Sequence, residues 1–239
     1  MNYNFVVTAY FTIGTLYEIE ARRLISSLAK FEIPYHVVPI ENRGDWYLNT
    51  QFKPTFLKEM LKKFNSSLVY VDVDAEFCQP PILFDELNAR PDVNIGVHLL
   101  DHAKRGRQAA HEMLSGTIFL KNNLVVHDLV NRWVVACSKG GQLWDQAALR
   151  EVIGSMPFYV LPEEYCTIFD YMSDVKNPVI KHYQASRKVP NKLGNIPLPT
   201  YDQPAQPISK KQSPEINCQP IKVPKGGISR YHRKWRNIV

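Results

Sequence analysis

The sequence lacks any apolar run near the roughly 18–20 residues that a membrane-spanning helix needs, so no span is expected. Its first residues, MNYNFVVTAY, lack a basic leading region and a small-residue cleavage site, which argues against secretion and for a cytoplasmic protein. Cysteine is scarce: Cys78, Cys137, Cys166 and Cys218 are scattered, with no CxxC pair and no zinc-ligand spacing. Reduced thiols follow, and a disulfide scaffold is excluded. Acidic residues almost vanish toward the end of the chain. From Ser186 onward only Asp202 and Glu215 oppose eleven Lys and Arg, a net charge of +9. The preceding 18 basic and 21 acidic residues leave the body at −3, so any affinity for polyanions is expected of the tail alone.

What is present suits one medium α/β domain. A chain of 239 residues with 45% hydrophobic and 11% aromatic side chains is too apolar to be mostly disordered and buries a sizeable core. The run NFVVTAY predicts a strand, and Tyr17, Ala21, Leu24, Ile25 and Leu28 then recur at helical spacing. IPYHVVPI predicts a second strand and ENRGDWYLNTQF a loop. Pro54 opens a helix whose stripe is Phe56, Leu57, Met60, Leu61 and Phe64, and SLVYVDVD gives a third strand. Strands alternating with helices predict βαβ units and a mostly parallel sheet. Further on, PILFDEL predicts a short helix or turn, DVNIGVHLL and SGTIFL strands, and DHAKRGRQAAHEM a surface loop. Two more helices carry Leu124, Val125, Leu129, Val130, Trp133 and Val134, then Ala148, Leu149, Val152 and Ile153. FYVLP and VIKHYQ read as the last strands.

Domain organisation follows the change of text. Residues 1–186 are expected to form one folded α/β domain, and 187–239 a Pro-rich, basic tail holding eight of the seventeen prolines. That tail either wraps the domain as extended chain or is flexible when free. Its end carries Arg230, Arg233, Lys234 and Arg236 beside Tyr231 and Trp235, a composition that suits phosphate contacts and base stacking.

The chemistry concentrates in VYVDVDAEF. An apolar strand runs into Asp72 and Asp74, whose spacing puts both carboxylates on one face if the strand continues. Ligands of open α/β sheets gather at the carboxyl ends of strands. Paired carboxylates repel there, and a hard cation such as Mn²⁺ or Mg²⁺ relieves them and bridges to a diphosphate. Three other readings of the motif stand beside this one: a strand cap without chemistry, a calcium loop, and a dehalogenase-like phosphatase. The calcium loop lacks its glycine and further ligands, and the phosphatase pair belongs near a chain start.

The ordered landmarks VTAY, GDWYLNTQFKP, DVDAEF, SGTIFL, WDQAAL, LPEEYCTIFDYM and VIKHYQASR over roughly residues 4–188 resemble the GT-A-type nucleotide-diphosphosugar transferases. The resemblance implies a metal-dependent glycosyltransferase taking its sugar from a nucleotide-diphosphate donor, with uridine the commonest base. It implies Asp72, Asp74 and His182 as metal ligands, and Asp145 with Gln146 as the catalytic pair at the sugar. Thr8, Ala9, Tyr10, Lys53, Asp72, Ser115, Gly116 and Arg187 are the implied donor contacts. No HxxGxxKPW-type segment follows His182, which leaves retention or inversion of stereochemistry open. The acceptor stays open between a glycan or small molecule and hydroxymethylpyrimidine DNA held by the tail. A non-catalytic sugar-nucleotide or nucleic-acid binder on the same scaffold is the contrasting reading.

Overall fold

A computed structural model describes residues 3–106, 111–139 and 144–188, except the side chains of Arg105, Arg187 and Lys188. The basic tail, with Arg230, Arg233, Lys234 and Arg236, lies outside the described residues, as does Cys218.

Strand β1 (Phe5–Thr12) is buried along nearly its whole length, as its unbroken apolar text requires of a central strand. Helix α1 (Tyr17–Lys30) follows, with Glu18 and Glu20 in its first turn and Lys30 in its last, each favourable to the helix dipole. Next come β2 (Tyr35–Ile40), α2 (Trp46–Gln51), α3 (Lys53–Lys63), β3 (Ser67–Val71), β4 (Ala75–Phe77), α4 (Leu83–Ala89) and β5 (Ile95–Leu100). The chain continues through β6 (Glu112–Leu120), α5 (Leu124–Ser138), α6 (Asp145–Ile153), β7 (Tyr159–Val160), β8 (Thr167–Ile168) and β9 (Ile180–His182).

The main sheet has the order β2-β1-β3-β6-β5-β7. β1 pairs parallel with β2 and β3, and β5 parallel with β7, while β6 runs antiparallel to both its neighbours. Five of the six strands thus point one way, and the sheet is mostly parallel. One face packs Phe5, Val7, Ala9 and Phe11 against α1 and α4. The other packs Leu68, Tyr70 and Ile118 against α3, α5 and α6. Burying each large side chain of the α3 stripe, such as Phe56 or Leu57, contributes about 1.5–3 kcal/mol.

Three expectations are corrected. The loop expected over ENRGDWYLNTQF contains α2, whose start is capped by the Asp45 side chain accepting from the Leu48 N–H. α2 buries none of its residues, so it leaves no apolar stripe to read. The α5 stripe begins at Val126 rather than Leu124: Leu124 is 87% exposed, because Asn123 caps the helix immediately before it and its first turn faces solvent. Most consequential, β3 ends at Val71, and Asp72, Val73 and Asp74 form a turn closed by the Ala75 N–H on the Asp72 carbonyl at 2.9 Å. The two aspartates are brought together by that turn, not by the pleat of a strand.

After the turn the chain enters a second, three-stranded sheet of order β4-β9-β8. β4 and β9 pair antiparallel with Ala75 opposite His182. This small sheet carries the late part of the chain to the carboxyl ends of the main strands.

Candidate active site

Two strand pairings assemble the site. In the main sheet Val71 stands opposite Thr117, and the Asp72 N–H donates to the Gly116 carbonyl at 2.8 Å, so the acidic turn lies against Gly116. In the small sheet the register that sets Ala75 opposite His182 puts the imidazole beside Asp74, with Nδ1 3.6 Å from Oδ1. Residues far apart in sequence thus meet at one point of the floor of a cleft of about 630 Å³.

Each of the three side chains is anchored through one polar atom to a neighbour outside the trio. Asp72 Oδ1 accepts from the Tyr70 hydroxyl at 2.9 Å and faces Lys53 Nζ at 3.1 Å. Asp74 Oδ2 accepts from the Ala185 N–H at 2.8 Å. His182 Nε2 lies 2.8 Å from Thr117 Oγ1, which fixes the ring. Of their other polar atoms, Asp74 Oδ1 and His182 Nδ1 face each other and Asp72 Oδ2 borders Gly116. Gly116 forms the wall between them: a Cβ there would stand 3.3 Å from Asp72 Oδ2 and 3.6 Å from His182 Nδ1. Two ligands of one small divalent ion, each bound at about 2.1 Å, stand roughly 3 to 4 Å apart, which the Asp74–His182 separation meets. Two carboxylate oxygens and an imidazole nitrogen are a donor set suited to Mn²⁺ or Mg²⁺. Among the described residues no three such side chains are placed to hold a metal as they stand.

Electrostatics reports the same strain. Asp72 titrates above the usual carboxylate range: its depth in the cleft raises it, as do Asp74 and Asp145, and Lys53 and His182 compensate only in part. Asp74 is held below that range, since His182 and the Ala185 N–H outweigh its burial. The imidazole of His182 is raised to about 10, because hydrogen bonds with Asp74 and Cys166 overcome the burial that disfavours its charge.

Lys53 is the second organising group. Read from sequence as a diphosphate contact, it is buried and committed to protein partners: Asp145 Oδ2 at 2.7 Å, Asp72 Oδ1 at 3.1 Å, and Ser115 O and Oγ at 3.1 Å. Burial lowers its pKa, but the two carboxylates prevail and raise it, so the ammonium stays charged. Asp145 is equally buried, accepts from Ser115 Oγ at 2.8 Å, and begins α6, where the helix dipole favours a carboxylate. Trp133 holds that turn by donating Nε1–H to the Asp145 carbonyl at 2.8 Å. Gln146 accepts from the Ser115 N–H and donates to Glu112 Oε1 at 2.7 Å.

Tyr10, Lys53, Asp72, Asp74, Ser115, Gly116, Asp145, Gln146 and His182 therefore all line one cleft. Thr8 and Ala9 do not. Both are fully buried mid-strand, because β1 runs on to Thr12 and presents Tyr10, Phe11 and Thr12 at its carboxyl end instead. The Arg187 side chain lies outside the described set. Sequence reasoning missed Glu112, His102, Tyr171, Trp46 and Trp144 on the cleft wall. Glu112 bonds His102 at 2.8 Å, which bonds the Tyr171 hydroxyl at 3.0 Å. Reading EMLSGTIFL, rather than SGTIFL, as one strand would have put Glu112 at the cleft.

Comparisons with known proteins bear on the fold. No protein-family profile matches the sequence, and no curated protein matches it. Among solved structures the chain is similar to a glycosyltransferase involved in the glycosylation of the major capsid of PBCV-1, at 12% identity and a TM-score of 0.61, over 75% of this chain and 92% of that one. It is also similar to the apo-form glycosyltransferase GlyE of Streptococcus pneumoniae TIGR4, at 12% identity and a TM-score of 0.51, over 74% of this chain and 54% of that one. It spans about half of GlyE. The chain has the GT-A glycosyltransferase fold. No helix among the described residues is long and apolar enough to cross a membrane.

Proposed function

We propose that the protein is a metal-dependent glycosyltransferase that moves a hexosyl or pentosyl group from a nucleotide-diphosphate sugar, with uridine as the base, to an acceptor hydroxyl. One observation carries this reading: in the cleft of a GT-A fold Asp72, Asp74 and His182 come together, with Asp74 Oδ1 3.6 Å from His182 Nδ1 and with Asp72 Oδ2 and the imidazole both bordering Gly116. Asp72, Asp74 and His182 would hold Mn²⁺ or Mg²⁺, which when bound supplies Lewis-acid stabilisation for the departing diphosphate without a proton.

The chain's own residues divide the remaining work. Tyr10, Phe11 and Thr12 line the side where the nucleoside enters. Tyr10 and Tyr70 titrate well above an ordinary phenol, through burial first and then the nearby carboxylates, so both stay neutral donors. Lys53 keeps Asp72 and Asp145 at fixed separation in a buried pair. Asp145 takes both Lys53 and Ser115 Oγ on Oδ2 alone, and with Gln146 it is the proposed catalytic pair, as base for the acceptor hydroxyl in an inverting reaction or as positioner of the sugar in a retaining one. Glu112, bonded through Oε1 to Gln146 and through Oε2 to His102, braces that pair.

Residues 1–186 are the proposed catalytic unit, and Ala185, which is buried and donates its N–H to Asp74 from a short 3₁₀ turn, belongs to it. The test is mass spectrometry after incubating the protein and Mn²⁺ with a panel of sugar nucleotides and saccharide acceptors. A mass increment of one sugar on an acceptor, abolished by EDTA, is expected. Binding without turnover would leave a sugar-nucleotide binder, and phosphate release from simple phosphomonoesters would indicate the phosphatase reading.

A further inference from the structure

Trp46 and Trp144 come from different parts of the chain yet meet at the wall of the cleft. Trp46 opens α2, and Trp144 immediately precedes Asp145 at the start of α6. Their ring centroids are 6.2 Å apart and their planes stand at 82°, so they form a corner. Both rings line the cleft and both stay open to it, at 43% and 42% exposure. Large aromatic side chains left uncovered at a cavity wall mark a place where a ligand covers them.

α2 reinforces the point. It buries no residue and holds Trp46, Tyr47 and Leu48 in succession at the surface, an arrangement that folding alone does not reward. Of these three, only Trp46 faces the cleft, and it does so beside the polar residues Asn49 and Thr50. Trp144 stands beside Gln146 and its partner Glu112.

We propose that Trp46 and Trp144 are the acceptor platform, and that its occupant is the terminal pyranose of a neutral saccharide. The inference rests on the glycosyltransferase reading above and names the acceptor class of that same cleft. Two features select the class. The C–H face of a pyranose is weakly positive and packs on the negative face of an aromatic ring, while its hydroxyls reach outward to amide, hydroxyl and carboxylate groups at the rim. Among the described residues Asp72, Asp74, Glu112, Asp145 and Asp170 line the cleft, and Lys53 is already paired with two of them. A metal ion would offset the donor diphosphate, and the Glu112 carboxylate would stay on the wall with Trp144. That wall repels the phosphates of duplex DNA.

The test uses the full-length chain with Mn²⁺ and uridine diphosphate present. Saturation-transfer NMR and calorimetry would be run with methyl pyranosides of glucose, galactose, mannose, xylose and N-acetylglucosamine, and with disaccharides of each. At least one saccharide is expected to bind. Trp46→Ala and Trp144→Ala should each weaken it ten-fold or more. Trp46→Tyr should retain part of the affinity, which guards against a simple folding defect, and Leu48→Ala, outside the cleft, should change nothing. Dissociation constants for uridine diphosphate should stay within two-fold in the tryptophan variants.

Three results overturn the proposal: no saccharide contact, a loss of nucleotide affinity in the tryptophan variants, or displacement of saccharide by duplex DNA or a serine peptide acting as the better ligand. Nucleotide binding without saccharide contact removes the platform alone. Absence of binding and turnover for every sugar nucleotide removes the glycosyltransferase reading itself.

Discussion

Lys53 Nζ lies 2.7 Å from Asp145 Oδ2, and both side chains are almost wholly buried, so α3 and α6 are tied together across the floor of the cleft by a charge pair. Removing Lys53 strands Asp145, whereas removing Asp145 leaves Lys53 with Asp72 at 3.1 Å. Lys53→Met is expected to cost about 3–5 kcal/mol of stability, the scale for an uncompensated buried charge, and Asp145→Asn less. The double variant should lose less than the two costs together, with a coupling of about 1 kcal/mol or more by urea denaturation. Additive losses would mean that the pair does not act as a unit.

Gly116 leaves open the space beside Asp72 Oδ2 and the His182 ring. A Cβ added there stands 3.3 Å from Asp72 Oδ2 and 3.4 Å from His182 Cε1, and the backbone conformation is one that alanine adopts. Gly116→Ala should therefore change stability by about 1 kcal/mol or less, within the range of modest substitutions. It should nevertheless weaken Mn²⁺ binding at least ten-fold, as measured by calorimetry. Equal Mn²⁺ affinity would show that the ion sits elsewhere.

Thr117 is buried behind His182 and bonds its Nε2 at 2.8 Å. The isosteric Thr117→Val keeps the packing volume and frees the ring to rotate. Partners of this kind are typically worth 10–100-fold in metal affinity, and a loss in that range is expected. The readout is the Mn²⁺ dissociation constant alongside the thermal midpoint.

Protons should leave when the metal arrives. His182 is raised to about 10 without metal, so it carries a proton at pH 7.5, and ligation requires its neutral form. Calorimetry in two buffers of different ionisation enthalpy should report release of close to one proton, with affinity rising from pH 6.5 toward 9. The stability due to the His182–Asp74 pair has the opposite dependence at its alkaline end. Because the imidazole is raised, its contribution is complete below about 6.5, the unperturbed value, and is lost as pH rises through about 10. The depressed Asp74 contributes above the usual carboxylate range and is lost as pH falls through its lowered value. No proton release at pH 7.5 would separate His182 from the ion.

The sequence made the first half of the fold legible because its elements are long and periodic. β1, α1, α3 and β3 each bury a stripe or an unbroken run and were readable from that pattern, and β2, half-buried, was readable from its apolar text. α2 was not, since a helix that buries nothing has no stripe. Of the small sheet only β9 was readable, in VIKHYQ; β4 and β8 are three and two residues long, below the length at which alternation shows, so its pairing was missed. That omission hid the reason His182 meets Asp74, which is the β4–β9 register and not anything local to either residue. Thr8 and Ala9 were named two residues short of the cleft because the end of β1 has no turn signal before Gly14. The polar text of Lys53 suggested solvent or phosphate. Its burial follows from Asp72 and Asp145, whose proximity depends on the tertiary fold.

The central claim is that one divalent ion is gripped by Asp72, Asp74 and His182 with a nucleoside diphosphate above it. The direct measurement is a crystal of the protein soaked with Mn²⁺ and uridine diphosphate, with the ion located by its anomalous scattering. The account predicts a peak about 2.1–2.3 Å from Asp72 Oδ2, Asp74 Oδ1 and His182 Nδ1, with diphosphate oxygens completing its shell. Diphosphate bound with no peak at that point, or a peak away from His182, would contradict it.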